Sequence, residues 1–237
     1  MQNRIYILTL LLFLNNLFYG NTKNDPNVKK VYTTVKIDKA NAPTIDGLLN
    51  EPIWDTVVWG GDFTEFEPDN NTSPSQETKF KILYDNDNLY IAVIAYDSEP
   101  EKIISRLSRR DNLNSDGVFI AIDSYHDLRT AFMFGVGAGG DKSDWISSDN
   151  GENEDTSWNT IWDVKTTIDD LGWSAEARIP INQLRFKDGS NIIWGFNIMR
   201  GIHRLDETSV WDYVPIDAAG WVSEIGELHG LDIESKK

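Results

Sequence analysis

The amino-acid sequence predicts an all-β protein, an antiparallel β-sandwich of two sheets in the jelly-roll or immunoglobulin-like manner, with only short helical turns. Three observations lead to this prediction. Several segments alternate apolar and polar residues with a period of two, and clusters of Gly, Asn, Asp and Pro separate these segments. No shift in composition divides the chain into two domains. Seven or more short strands spaced in this way are typical of a sandwich.

The clearest strand pair is predicted within residues 79–96. Phe80, Ile82 and Tyr84 alternate with their neighbours, and residues 85–88 consist of turn-forming Asp and Asn. Residues 89–96 then form a continuous apolar run. Because such a run can be covered on both faces, its strand is predicted to be buried on both sides of its sheet.

The same alternation, in residues 162–168 and 173–179, and further apolar runs predict the remaining elements. Strands are expected at residues 118–122, 129–136, 162–168, 173–179 and 192–199. Pro180 ends one of them because it cannot donate a backbone hydrogen bond. Helical turns are expected near residues 51–55 and 181–184. Residues 137–157 are acidic and rich in Gly, Ser and Asn, which predicts a long loop.

The N-terminus has the features of an export signal. Arg4 precedes a stretch, residues 5–14, that is apolar apart from Thr9 and too short to span a bilayer comfortably. A signal peptide is therefore predicted over residues 1–20, a flexible polar leader over 21–30 and the sandwich over 31–232. The expected location is the periplasm, the outer membrane surface or the extracellular space.

Charge and composition exclude several classes of function. The net charge of −16 repels phosphate backbones, which argues against a nucleic-acid partner. The absence of cysteine excludes disulfides and thiolate chemistry. A neutral sugar or a calcium ion remains compatible with such a surface.

Catalytic motifs are few. The chain has no Gly-x-Ser-x-Gly nucleophile motif, and its three histidines lack the paired spacing of a zinc site. A glycosidase needs only two carboxyl groups, and Glu176, on a strand with Trp173 and Arg178, is the leading candidate for one of them. The alternative is a solvated or arginine-paired strand residue.

An acidic cluster raises the question of a metal. Asp141, Asp144 and Asp155 lie near Trp145 in the predicted loop, and hard oxygen ligands suit calcium. The spacing matches no EF-hand, so a solvated acidic loop is the alternative. No other cofactor is predicted.

Tryptophan is the residue type that points to a ligand, since its flat face can stack on the C–H face of a pyranose. The chain has nine tryptophans. Trp54, Trp173 and Trp194 are predicted to pack in the core. The others of interest fall in predicted loops or at strand ends, where a ligand could reach them: Trp145, Trp158, Trp211 and Trp221.

Six ordered segments resemble family 9 carbohydrate-binding modules, over about residues 35 to 232. They are residues 45–54 (Ile-Asp-Gly-Leu-Leu-Asn-Glu-Pro-Ile-Trp), 81–92, 115–123, 172–180, 194–197 and 226–228. The resemblance implies a β-sandwich that binds sugar chains, in some members between two tryptophans. A closer likeness, through residues 110–111, 157–162 and 184–186, is to the first domain of large exported bacterial proteins with a C-terminal barrel-like region. That region is an implied partner absent from this chain.

The resemblance also locates a sugar site. Leu113 stands where family members carry one stacking tryptophan, and Trp221 lies near the position of the second. The predicted sugar contacts are therefore Trp221 and Trp145 as stacking residues, with Arg109 and Asp116 as polar partners. The expected function is non-catalytic binding of a poly- or oligosaccharide, serving polysaccharide breakdown or uptake.

Three other functions stay open at this stage. One is a structural or interaction domain that has lost its sugar, and another is a glycoside hydrolase that uses Glu176. The third is haem binding, which related sandwich folds perform. Met133 and Met199 lie on predicted strands, but core packing also explains both.

Overall fold

The computed structural model describes residues 28–233, in which fourteen strands form two sheets. The strands are β1 (Val31–Thr33), β2 (Val35–Lys36), β3 (Thr64–Glu67), β4 (Thr78–Tyr84), β5 (Asn88–Tyr96), β6 (Gly117–Asp123), β7 (Ala131–Gly137), β8 (Lys142–Ser148), β9 (Asn153–Asp155), β10 (Asp163–Asp169), β11 (Gly172–Pro180), β12 (Gly189–Ile202), β13 (Glu207–Val210) and β14 (Gly226–Ile233). Short 3-10 helices occupy Lys39–Asn41, Pro52–Thr56, Pro100–Lys102, Asp149–Gly151, Ile181–Gln183 and His203–Leu205.

The two sheets pack into the predicted sandwich. The nine-stranded sheet has the order β1, β14, β12, β6, β7, β8, β9, and it also includes β13, which pairs with β12, and β3, which pairs with β13. The five-stranded sheet has the order β10, β11, β5, β4, β2. The core includes the fully buried rings of Phe80, Phe134, Trp162 and Phe196. The predicted all-β sandwich with short helical turns is confirmed.

The predicted hairpins form with antiparallel pairing. β4 pairs with β5, β6 with β7, and β10 with β11. Residues 89–93 of β5 are buried, since this strand lies between β11 and β4 in the smaller sheet. Trp54, Trp173 and Trp194 are at most 2% exposed, as the sequence predicts. Trp211 is also a core residue, with its ring centroid 5.3 Å from that of Phe80.

Purely antiparallel pairing is a wrong prediction for the first two strands. β1 runs parallel to β14, and β2 runs parallel to β4. Residues 31–36 thus pair with a strand of each sheet in turn. Because one extended segment serves both sheets, the packing of the sheets sets its pairing direction, whereas a hairpin turn sets the antiparallel direction in pairs such as β4 with β5.

The loop predicted over residues 137–157 is also wrong, since β8 and β9 form there and extend the larger sheet beyond β7. The sequence pattern does not predict β8, because the charged residue Asp144 stands at a core-facing position. There Asp144 pairs with Arg110 and accepts a hydrogen bond from Trp162. Ser143 and Ser147 occupy positions on the opposite face. Tertiary partners and the ladder to β7 therefore stabilise a strand that hydrophobic alternation does not reveal.

The predicted signal peptide and residues 21–27 of the predicted leader lie outside the described residues. The end of that leader contacts the sandwich: Lys29 Nζ donates to the carbonyl of Ser223 at 2.6 Å and Lys30 Nζ to that of Trp211 at 2.7 Å. Across residues 28–233, no helix has both the length and the apolar character needed to cross a membrane.

Candidate functional site

The outer face of the nine-stranded sheet carries an unusual number of large apolar side chains. Ile120 on β6, Phe134 on β7 and Ile198 on β12 belong to the sandwich core. Residues adjacent to them in sequence point the other way because side chains alternate along a strand. These outward positions hold Phe119 and Met199. A second apolar surface therefore lies on the side of the sheet that faces away from the core.

This second surface forms the floor of a groove with a volume of about 380 Å³, within the usual range for small-molecule sites. The segment of residues 214–221, between β13 and β14, forms the opposite wall. The lining is almost entirely apolar and consists of Phe66, Phe119, Ala121, Met133, Asn197, Met199, Val210, Val214, Pro215, Ile216, Ala218, Gly220 and Trp221.

Trp221 is held in this wall by the turn that joins β8 to β9. Its backbone N–H donates to the carbonyl of Asn150 at 3.0 Å, and the side-chain amide of Asn150 exchanges two hydrogen bonds with Ser223. Gly151 has a φ of +96°, and a Cβ there would lie 2.1 Å from Cδ1 and Nε1 of Trp221. The indole is thus seated against a bare stretch of backbone that only glycine provides.

Trp145 lies close to this groove but does not line it. It is half-buried on β8, its ring edge-on to Phe119 with centroids 6.2 Å apart. Trp145 and Trp221 both pack on a small cluster that includes Met133 and Val222. The structure therefore brings the two predicted stacking residues together, although Phe66, Phe119 and Trp221 are the rings that line the groove.

The two predicted polar contacts do not lie at the groove. Arg109 is exposed on the segment that precedes β6 and is absent from the lining. Asp116 is only 1% exposed. Its carboxylate packs against the turn at residues 203–205 and accepts a hydrogen bond from the backbone N–H of His203 at 2.9 Å. Burial raises the pKa of Asp116. The structure therefore does not bring Asp116 together with Trp221 and Trp145.

Each of the three predicted calcium ligands contacts different protein groups. Asp141 accepts from Ser108 at 2.6 Å, Asp144 accepts from the backbone of Thr160 at 2.8 Å and pairs with Arg110, and Asp155 is exposed beside Ser157. Within residues 28–233 there is no group of three potential metal ligands. The structure therefore does not assemble the calcium site that the acidic cluster predicted.

Glu176 has a structural role. Its carboxylate is fully buried and accepts the backbone N–H groups of Asp46 and Gly47 at 3.1 and 3.0 Å and the indole N–H of Trp54 at 3.0 Å. Burial outweighs these three donors and raises the pKa of Glu176 to about 7. Both oxygens are occupied and shielded from solvent, so this residue cannot act on a bound glycan as the hydrolase hypothesis requires.

Sequence reasoning missed most of the groove. Phe119 is not among the predicted site residues, because the continuous apolar run of residues 118–122 does not show which side chains face away from the core. Met133 and Met199 were explained by core packing, but both line the groove. The wall at residues 214–221 has no alternation, and nothing local indicates that it folds over the sheet.

Comparison with known proteins agrees with the fold. Residues 45–208 match the family model described as "Carbohydrate family 9 binding domain-like". This range includes the floor residues Phe119, Met133 and Met199 and ends before the wall with Trp221. No curated protein matches the chain.

The solved structures that resemble the chain share its architecture at low sequence identity. A family 9 carbohydrate-binding module from Caldicellulosiruptor kristjanssonii matches in complex with glucose (TM-score 0.63, 20% identity, 88% of this chain and 97% of that one). Its cellotriose complex matches with a TM-score of 0.61 at 19% identity, covering 88% and 95%. A protein from Bacteroides uniformis matches with a TM-score of 0.67 at 12% identity, covering 87% and 100%. With its sandwich fold and the match of residues 45–208, the chain belongs to the carbohydrate family 9 binding domain-like family.

Proposed function

We propose that this protein is a non-catalytic carbohydrate-binding domain whose sugar lies in the groove between Phe119 and Trp221. The observation that carries the proposal is this aromatic groove on the outer sheet face of a family 9 domain. Aromatic faces provide apolar contact for the C–H face of a pyranose. The family 9 module from Caldicellulosiruptor kristjanssonii, which shares the fold, has been solved with glucose and with cellotriose.

The affinity should be modest. Trp221 stands near one family stacking position, whereas Leu113 occupies the other. Leu113 nevertheless lies on the groove side of the sheet, since its Cδ1 and the ring of Phe119 both approach the position of a Cβ on Gly135. A site with one indole platform is expected to bind with a Kd of about millimolar to tens of micromolar, or roughly −4 to −6 kcal/mol.

Replacing Trp221 with alanine should weaken sugar binding by about 1–3 kcal/mol, the range measured for bases stacked on aromatic side chains, which is roughly fivefold or more. The measurement is calorimetric titration with glucose, cellotriose and a wider glycan panel. Trp59→Ala is the matched control, because Trp59 is 39% exposed, packs under Lys81 and lies outside the groove.

Circular dichroism should show an unchanged fold for both variants. Equal binding by Trp221→Ala and the wild type would place the sugar elsewhere. A wild type that binds no member of the panel would overturn the proposal and favour the structural or interaction domain.

Export belongs to the same proposal, with the domain serving polysaccharide breakdown or uptake outside the cytoplasm. Arg4 and the apolar stretch that follows support a signal peptide. Protein recovered from the exported fraction should begin near residue 21 when its N-terminus is sequenced. Exported protein that still begins at Met1 would contradict cleavage. The association with a C-terminal barrel-like region stays a prediction.

A further inference from the structure

The groove offers few polar partners to a sugar. Asn197 contributes the one side-chain amide among the lining residues, the indole N–H of Trp221 is a further side-chain donor, and none of the lining residues carries a formal charge. The amide of Asn197 is already engaged: Nδ2 donates to the carbonyl of Asp212 at 2.8 Å, and Oδ1 accepts the N–H groups of Ile198 and Asp212, each at 2.9 Å. One amide proton of Asn197 and the indole N–H of Trp221 are therefore the main side-chain donors left for a ligand.

The wall residues that line the groove are equally apolar. They include Val214, Pro215 and Ala218, and Ile216 stands 63% exposed at the rim. Asp217, the charged residue of this segment, is exposed and does not line the groove. The nearby indole of Trp145 adds no hydrogen-bonding group that a ligand in the groove could use. Trp145 Nε1 is buried and has no hydrogen-bond partner among the described residues, so its N–H is not presented to the groove.

The contrast with the larger cleft on the same protein shows how unusual this lining is. That cleft has a volume of about 780 Å³, and its lining includes Arg110, Asp141, Lys142, Asp163, Lys165 and Arg178. A ligand rich in hydroxyl groups would find donors and acceptors there. In the groove with Trp221, the same hydroxyl groups would lose water and gain few partners.

This difference determines which sugars suit the groove. A hydroxyl group that is buried without a partner loses binding free energy, whereas a methyl group buried on Met, Val or Ile side chains gains it. Resting on the proposed function, we propose that the groove prefers sugars whose hydroxyl groups are replaced or capped by apolar groups, such as 6-deoxy, O-methyl or O-acetyl sugars. The aromatic rings would hold the pyranose face, and the side chains of Met199 and Val214 would cover the substituents.

Matched ligand pairs test this preference by calorimetric titration. The pairs are glucose with 6-deoxyglucose, and cellotriose with partly O-methylated cellotriose. The substituted member of at least one pair should bind about tenfold more tightly, and Trp221→Ala should weaken binding of both members. Equal or weaker binding of both substituted sugars, with both parent sugars still weakened by Trp221→Ala, would overturn the preference and leave the proposed function standing.

A groove variant gives a second and independent measurement. Met199→Gln keeps the length of a half-buried side chain and adds an amide to the groove floor. It should reduce the ratio of affinities within each pair by about fivefold or more through tighter binding of the hydroxylated member. An unchanged ratio in a folded Met199→Gln variant would contradict the inference. Binding that neither Trp221→Ala nor Met199→Gln alters would overturn the preference and the proposed location together.

Discussion

Replacing Glu176 with alanine is expected to lower the free energy of unfolding by about 4 kcal/mol, because three buried N–H donors lose their acceptor and a cavity forms. The donors are the backbone N–H groups of Asp46 and Gly47 and the indole N–H of Trp54. These contacts fix the segment of residues 45–54 over the outer face of the smaller sheet. Urea unfolding followed by fluorescence measures the change.

Glu154→Ala is the matched control for Glu176→Ala. Glu154 lies on β9 and is exposed, so its removal should change stability by less than about 0.5 kcal/mol. A Glu176→Ala protein as stable as this control would show that the buried carboxylate does not anchor residues 45–54.

The cost of Glu176→Ala should also depend on pH. Burial raises the pKa of Glu176 from 4.5 to about 7, so the folded protein retains a proton that the unfolded chain has lost between these values. The stability contributed by this proton is fully present below about pH 4.5 and is lost as the pH rises through 7. Because the alanine variant has no such group, the stability difference should be larger at pH 5 than at pH 8. A difference that grows with pH would instead show that the three N–H donors outweigh burial.

Replacing Gly151 with alanine is expected to abolish most sugar binding while the sandwich stays folded. The new Cβ would lie 2.1 Å from two atoms of the Trp221 indole, so the ring must leave its position in the groove wall. Binding should fall about as far as in Trp221→Ala, although Trp221 is still present. Near-ultraviolet circular dichroism should report the displaced indole without any added ligand.

Gly140→Ala separates this steric effect from backbone strain. Gly140 has a φ of +88°, close to the +96° of Gly151, but the nearest atom to its added Cβ is Thr166 Oγ1 at 3.3 Å. Both variants should lose about 1–3 kcal/mol of stability from the left-handed backbone, whereas only Gly151→Ala should lose binding. If Gly151→Ala and Gly140→Ala lose binding equally, or if neither loses binding, the contact with Gly151 does not position Trp221.

The contact between Gly151 and the indole of Trp221 shows how the site depends on contacts between segments that are distant in sequence. Residues 150 and 151 connect β8 to β9, whereas Trp221 precedes β14. Asn150 bridges them with hydrogen bonds to Trp221 and Ser223. Changes in this turn can therefore alter ligand binding without any contact with the ligand.

Local sequence patterns are sufficient to predict the fold class, the hairpins and the core tryptophans. Period-two alternation around Ile82 and Trp173 is a local property of the chain, and it decides which side chains a sheet can bury. The ordered motifs beginning at Ile45 likewise identified the family. Such patterns can be read from the sequence because core packing constrains each strand separately.

The site, in contrast, depends on tertiary contacts. Asp116 and Glu176 have polar side chains that the sequence could assign to a ligand, yet long-range partners bury both. Phe119 and Met199 become groove residues because the wall at residues 214–221 folds over the outer face of the sheet. The physical reason is that alternation tells which face of a strand is apolar, whereas the covering of that face depends on segments far away in the chain.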